Sequence, residues 1–118
     1  RAQGAGLILN VASAAGFASG AKMGAYNASK AAVIALTETL VQEFELEGSR
    51  LRATVAMPGF FPTRLLDEAR APDDAMRAAR KLMHGSTYTG DRAAFDILTA
   101  CAGGAVHVVV PKPYVQLW

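Results

Sequence analysis

Three short apolar runs along the chain predict β-strands, at residues 6–12, 51–57 and 105–110. Each run is bounded by glycine, proline or small polar residues, which end strand pairing. The first run is apolar at successive positions rather than at alternate ones, so we expect this strand to be buried on both faces of its sheet. His107 lies within the last run and is predicted to be a buried, hydrogen-bonded histidine.

Two longer stretches carry the spacing of helices that are apolar on one side. Apolar residues recur with a helical period over 24–47, and Gly48 then supplies a stop signal. A second helix is predicted over 89–102, with two glycines directly after it. The segment 63–89 carries two shorter helical patterns, which we interpret as a helical flap beside a substrate site.

The order of these elements predicts an α/β fold. Strands that alternate with helices of this length form parallel sheets with right-handed crossovers and with helices on both faces. We therefore expect residues 1–118 to form part of one domain with a doubly wound parallel sheet. Ligands bind to such sheets beyond the carboxyl ends of the strands. Ser13 follows the first strand and Pro58 and Gly59 follow the second, so these residues are predicted to lie at the binding edge.

Composition and charge exclude several classes of protein. The chain is 52% hydrophobic and 19% charged, which is typical of a packed domain and not of a disordered one. Its formal net charge is only +2 and its basic residues are dispersed among acids, so no nucleic-acid partner is predicted. The apolar runs are far shorter than the roughly 18 residues of a membrane span, so none is predicted. The single Cys101 excludes an internal disulfide, and we expect a buried thiol, a reducing cytoplasmic location and no metal site.

Tyr26 and Lys30 are the first candidates for chemistry. They are four positions apart at the start of the long helix, so their side chains share one face. An ammonium group close to a phenol favours the phenolate, which makes a tyrosine useful as an acid or base near neutral pH. On spacing alone, a solvated surface pair is the commoner outcome. Ser13 adds a hydroxyl at the end of a strand, where it could hydrogen-bond a substrate carbonyl.

Three motifs in this order resemble the carboxyl-terminal half of a short-chain dehydrogenase/reductase: NVASAAG at 10–16, YNASK at 26–30 and PGFFPT at 58–63. The resemblance implies a partial Rossmann-like fold that lacks the amino-terminal βαβ half of the dinucleotide-binding domain. It implies an oxidoreductase that uses NAD or NADP to interconvert a small-molecule carbonyl compound and a secondary alcohol. It also implies a homodimer or homotetramer.

The same resemblance assigns roles to particular residues. Tyr26 would be the general acid in carbonyl reduction and the general base in alcohol oxidation. Lys30 would favour the phenolate and hold the ribose hydroxyls of the nicotinamide, and Ser13 would orient the substrate oxygen. The residues beside the cofactor would be Tyr26, Lys30, Pro58, Gly59, Phe61 and Thr63, and those beside the substrate would be Ser13, Ala15 and Phe60.

Departures from the family pattern leave an alternative open. The glycine-rich turn that cradles the pyrophosphate in the family is not found, since Gly4 and Gly6 precede a strand instead of following one. A Ser-x-x-Lys pattern at 19–22, typical of penicillin-binding acyl hydrolases, stands without its companion motifs and is interpreted as chance. The alternative to the enzyme is a truncated, non-catalytic fragment that acts only as an oligomerisation or structural module.

Overall fold

A single parallel sheet organises the structure, a computed structural model that describes residues 3–16, 20–59, 77, 81 and 87–111. Within these residues the sheet has the order β1-β2-β3, with every pair parallel. The prediction of an α/β fold with a parallel sheet is confirmed. The strands are β1 (Ala5–Val11), β2 (Arg50–Pro58) and β3 (His107–Val110).

Helix α1 (Gly24–Leu46) packs on one face of the central strand β2. Val33 and Ile34 lie against the cluster that contains Val55 and Met57 of β2. The helix ends within one residue of its predicted bound, because Gly48 leaves it with φ +62°, in the left-handed region that favours glycine.

Helix α2 (Gly90–Ala102) packs on the opposite face of the sheet. Its Ala93 and Ile97 form a cluster with Ala56 of β2 and with two valines of β3. The predicted helix start is confirmed, since the Thr89 side chain caps the first turn by accepting a hydrogen bond from the Arg92 amide at 3.1 Å. With helices on both of its faces, β2 is buried from residue 53 to residue 57.

Strand β3 is shorter than the predicted run of 105–110. The Ala105 amide donates to the Ala100 carbonyl at 3.1 Å, so this residue still belongs to the exit from α2. Its own carbonyl accepts a hydrogen bond from the buried Thr54 hydroxyl at 2.6 Å. Because these backbone groups are occupied in this way, ladder pairing with β2 begins only at His107.

Strand β1 carries more exposed apolar surface than the sequence predicts. Leu7 and Ile8 are each 40% exposed, and Val11 is 54% exposed. Among the described residues β1 pairs only with β2, and α2 packs mainly against β2 and β3. The prediction that the first strand is buried on both faces is therefore wrong for this part of the chain.

Two smaller predictions have opposite outcomes. Cys101 is buried in α2, as predicted. His107 is not buried: its side chain is 49% exposed and its Nε2 lies 3.6 Å from Glu38 Oε1.

Most of the predicted flap at 63–89 lies outside the described residues. In the part of the chain that the structure describes, no helix is both long enough and apolar enough to cross a bilayer.

A polar cluster at the start of α2 holds a tyrosine in its neutral form. The Tyr88 phenol donates a hydrogen bond to Asp96, and Arg92 Nε donates to the other oxygen of this carboxylate at 3.2 Å. Burial of the phenol, together with its bond to Asp96, raises the pKa of Tyr88 from 10.0 to about 12. The contribution of this protonated phenol to folding is therefore fully present below about pH 10 and is lost as the pH rises through about 12.

We expect Asp96→Asn to lower the pKa of Tyr88 part of the way from about 12 towards 10.0, because burial remains while the carboxylate is removed. Phenolate absorbance during an alkaline titration measures this change. Asp91→Asn, which removes an exposed acid from the first turn of the same helix, is the control and should leave the titration unchanged. An unaltered titration in Asp96→Asn would contradict the assignment.

Candidate functional site

The carboxyl ends of β1 and β2 meet at one edge of the sheet. Strand pairing continues just past them, since the Ala12 amide donates to the Ala56 carbonyl at 2.7 Å and the Gly59 amide donates to the Val110 carbonyl at 2.7 Å. Ser13 follows at the end of β1, and Pro58 and Gly59 lie at the end of β2, so the structure brings these predicted site residues to the same edge, as expected for parallel strands.

A short 3-10 turn (Ala14–Gly16) follows Ser13 and fixes its side chain. The Ala15 amide donates to Ser13 Oγ at 3.1 Å, and the Gly16 amide donates to the Ser13 carbonyl at 2.9 Å. Ser13 and Ala15 are both partly buried here. A hydroxyl that accepts one hydrogen bond still has its own proton to donate, so Ser13 can present a donor at this edge.

Gly16 brings this turn into direct contact with α1. A Cβ at this position would lie 2.6 Å from Ile34 Cδ1, 2.9 Å from the Lys30 carbonyl carbon and 3.0 Å from its oxygen. Two of these atoms belong to helix backbone, which cannot rotate away as a side chain does. Only glycine permits this approach. The approach places the turn that follows Ser13 against the backbone of the candidate lysine, Lys30.

Tyr26 and Lys30 share one face of α1, as their spacing predicts. Lys30 Nζ lies 5.6 Å from the centroid of the Tyr26 ring, within the range of a cation–π contact. Both side chains are partly buried, so neither is a fully solvated surface group. An ammonium group held beside a phenol can stabilise negative charge on its oxygen and can also donate hydrogen bonds to a ligand.

A hydrogen-bonded link also joins β1 to α1, and sequence patterns alone do not predict it. Asn10 Nδ2 donates to Thr37 Oγ1 at 2.9 Å, and this hydroxyl donates to the Val33 carbonyl at 2.7 Å. Thr37 is fully buried. The only signal in the sequence is a polar residue within each apolar pattern, which gives no indication of the partner.

Of the predicted site residues, Ser13, Ala15, Pro58 and Gly59 lie at this edge. The backbone of Lys30 contacts the turn there through Gly16, and Tyr26 is linked to the edge by its contact with Lys30. The other three predicted residues, Phe60, Phe61 and Thr63, lie outside the described residues. A cavity of about 260 Å³ lies elsewhere, at the amino ends of the strands, with Leu7, Phe44 and Ala105 in its wall. Because it is at the opposite edge of the sheet, this cavity is separate from the candidate site.

Comparison with known proteins finds likeness to one family across this region. A family model described as short chain dehydrogenase matches residues 1–74. The chain is 31% identical over 78 residues to an NADP-dependent (R)-specific alcohol dehydrogenase of Lentilactobacillus kefiri, a match that covers 66% of this chain and 31% of that protein. It is 40% identical over 73 residues to an uncharacterised oxidoreductase of Staphylococcus saprophyticus, covering 62% of this chain and 30% of that protein.

A solved structure gives the same result for the fold. The crystal structure of a short chain dehydrogenase/reductase from Burkholderia phymatum in complex with NAD superposes with a TM-score of 0.84 at 28% identity. The match covers 96% of this chain and 45% of that one. The chain thus spans about a third of the length of the two curated relatives and less than half of this solved structure.

We expect Gly16→Ala to lower the free energy of unfolding by about 1–3 kcal/mol, the usual cost of forcing a methyl group into a closely packed contact. Chemical denaturation measures the change. Gly20→Ala is the matched control, because a Cβ at Gly20 meets nothing within 4 Å and its φ is not in the left-handed region. Equal stability of the two variants would contradict the close approach of the turn to α1.

Proposed function

Because the chain belongs to the short-chain dehydrogenase/reductase family, we propose that the complete protein is an NAD- or NADP-dependent oxidoreductase. In this proposal it interconverts a carbonyl compound and a secondary alcohol, with Tyr26 as the general acid and base. The observation that carries the proposal is the contact of Gly16 with the Lys30 backbone, which joins the Ser13 turn to the helix face that presents Tyr26 and Lys30.

The chemistry of the donor set fits the nicotinamide end of such a cofactor. The Lys30 ammonium lies over the Tyr26 ring on the helix whose backbone contacts Gly16, and adjacent hydroxyls of a ribose would find hydrogen-bond partners there. Lys30 and Tyr26 would hold the ribose, and Gly59, with no side chain at the end of β2, would let the ring approach the backbone. When bound, the nicotinamide supplies the hydride or receives it.

Tyr26 moves the proton that balances the hydride. In reduction the phenol gives its proton to the carbonyl oxygen, and in oxidation the phenolate takes the proton of the alcohol hydroxyl. The Lys30 ammonium lies 5.6 Å from the centroid of the Tyr26 ring and does not itself receive the proton. In this proposal one side chain serves both directions of the reaction.

Ser13 orients the substrate oxygen towards Tyr26. Its Oγ is held by the Ala15 amide at 3.1 Å, so the hydroxyl has little freedom to turn away from the edge. A donor fixed in advance in this way stabilises charge on the reacting oxygen at no cost in reorganisation. Ala15 and Phe60 are proposed to contact the rest of the substrate, and Pro58, Phe61 and Thr63 are proposed to line the cofactor side.

We expect Tyr26→Phe in the complete protein to lower kcat by about 10²–10⁴-fold, because the substitution removes the proton donor and leaves the ring in place. The measurement is turnover of cyclohexanone, 2-octanone and ethyl acetoacetate with NADH and with NADPH. Thr39→Ala removes an exposed hydroxyl that bonds the Ala35 carbonyl within α1, so it serves as the control and should keep kcat near that of the wild type. Full turnover by Tyr26→Phe would exclude this residue as the acid and base.

The exposed side chains of β1 favour a second candidate, a non-catalytic module that associates through this strand. Leu7, Ile8 and Val11 present apolar surface beside a strand that has one partner among the described residues. Such an edge is a template for pairing with another chain. Micromolar binding of NADH or NADPH by the 118-residue chain, measured by nicotinamide fluorescence, would count against this candidate.

We expect the 118-residue chain on its own to self-associate through β1, and Ile8→Lys to make it monomeric, because an edge charge opposes strand pairing. Sedimentation velocity measures the change. Leu46→Lys is the control, since Leu46 is 88% exposed at the end of α1, away from the strand. A monomeric wild-type chain, or an equal effect of both substitutions, would contradict association through β1.

A further inference from the structure

Asn27 is a buried polar side chain in the first turn of α1, directly after Tyr26. It is only 9% exposed, although amides this close to the start of a helix ordinarily face solvent. Its Nδ2 donates to the Gly20 carbonyl at 3.1 Å, seven residues earlier in the chain. The amide therefore ties the segment that enters α1 to the turn of helix that presents Tyr26.

The N-cap residue does not anchor the start of α1 through its side chain. The N-cap residue, Met23, makes no side-chain hydrogen bond to the helix, and its carbonyl accepts the first intrahelical bond from the Asn27 amide at 2.8 Å. Lys22, one residue earlier, has φ +64°, a left-handed conformation that residues other than glycine seldom adopt. A strained backbone conformation persists only where surrounding contacts hold it. The bond from Asn27 to the Gly20 carbonyl spans residues 20–27 and so supplies such a contact around Lys22.

The Oδ1 atom of Asn27 gives an independent argument that this side chain is not present for stability. The Gly20 carbonyl identifies the atom facing it as the nitrogen, because only the amide NH₂ can donate to it. Among the described residues, the buried Oδ1 then has no hydrogen-bond donor. The penalty of a buried acceptor without a donor is at least as large as the net gain from the one hydrogen bond to Gly20, so a leucine of similar size would be no less stable here. The amide at this position is thus better explained by what it holds in place than by stability.

We propose that Asn27 is a positioning residue for Tyr26, an inference that rests on the proposed function. By holding Gly20, the amide sets the angle at which the chain enters α1, and this angle fixes the phenol relative to Lys30 and Ser13. The side chain of Asn27 itself lies outside the reacting groups. Its loss should therefore affect the rate of the chemical step rather than the binding of substrate, because small errors in placement cost large factors in rate.

The test compares Asn27→Leu and Asn27→Asp in the complete protein, with whichever of cyclohexanone, 2-octanone and ethyl acetoacetate the wild type reduces fastest. Asn27→Leu should lower kcat by about 10–100-fold. Its KM should change by less than about twofold, because the binding groups are kept. Its melting temperature should stay close to that of the wild type, because loss of the bond to Gly20 is offset by removal of an unpaired buried acceptor. A merely structural role predicts the reverse, a lower melting temperature with kcat unchanged.

Asn27→Asp separates the hydrogen bond from the shape of the side chain. An ionised carboxylate cannot donate to the Gly20 carbonyl, whereas a protonated carboxyl can. Burial favours protonation, so the ratio of the variant's kcat to that of the wild type should rise as the pH is lowered. The same ratio for Asn27→Leu should stay flat. A flat ratio for both variants would overturn the proposal.

Thr39→Ala provides the control on the same helix. It removes an exposed side-chain bond to the Ala35 carbonyl and should leave kcat, KM and the pH profile unchanged. Wild-type kcat in Asn27→Leu would overturn the positioning role alone. No turnover and no binding of NADH or NADPH by the wild-type protein would overturn the proposed function, and the positioning role with it.

Discussion

The candidate site depends on the contact between Gly16 and the backbone of α1. The 3-10 turn can rest on the helix because position 16 has no Cβ, and it meets the helix at Lys30 itself. Ser13 begins this turn, so its hydroxyl is located relative to the helix by three residues of tightly bonded backbone. A side chain at position 16 would push the turn outwards and would carry Ser13 away from the face of Tyr26 and Lys30.

Polar groups join the layers behind this contact. Thr37 joins Asn10 of β1 to the backbone of α1, and Thr54 joins β2 to the segment before β3. Both threonines are buried and both of their hydroxyls are hydrogen-bonded, so these polar groups stabilise the interior instead of weakening it. Apolar clusters on the two sides of β2 fill the remaining space.

The sequence predicts the elements that local signals determine and fails where the outcome depends on distant contacts. Gly48 marks the end of α1 through its own backbone and Thr89 marks the start of α2 through its side chain, so these predicted bounds are correct to within one residue. The predicted length of β3 is wrong because the hydroxyl of Thr54, 51 positions away, donates a hydrogen bond to the Ala105 carbonyl just before the strand. The predicted burial of β1 is wrong because an apolar run indicates an apolar strand but does not show which other elements cover that strand. Tyr26 and Lys30 are predicted to share a face by spacing, but the closeness of Gly16 to Lys30 and of Asn27 to Gly20 exists only in the folded chain.

These contacts also separate two requirements that an oxidoreductase has to meet. The groups proposed to move and direct the proton are placed by short-range links within residues 13–30: Ser13 by the turn, Lys30 by Gly16, and Tyr26 by the bond from Asn27 to Gly20. In the proposed function these links, all made within the chain, preorganise the proton-transfer groups, as electrostatic catalysis requires. Affinity for a dinucleotide depends on a different kind of contact, with backbone amides around its phosphates. Contacts with phosphates would involve residues other than Ser13, Tyr26 and Lys30, so the proposed roles of Tyr26 and Asn27 can be tested with either NADH or NADPH.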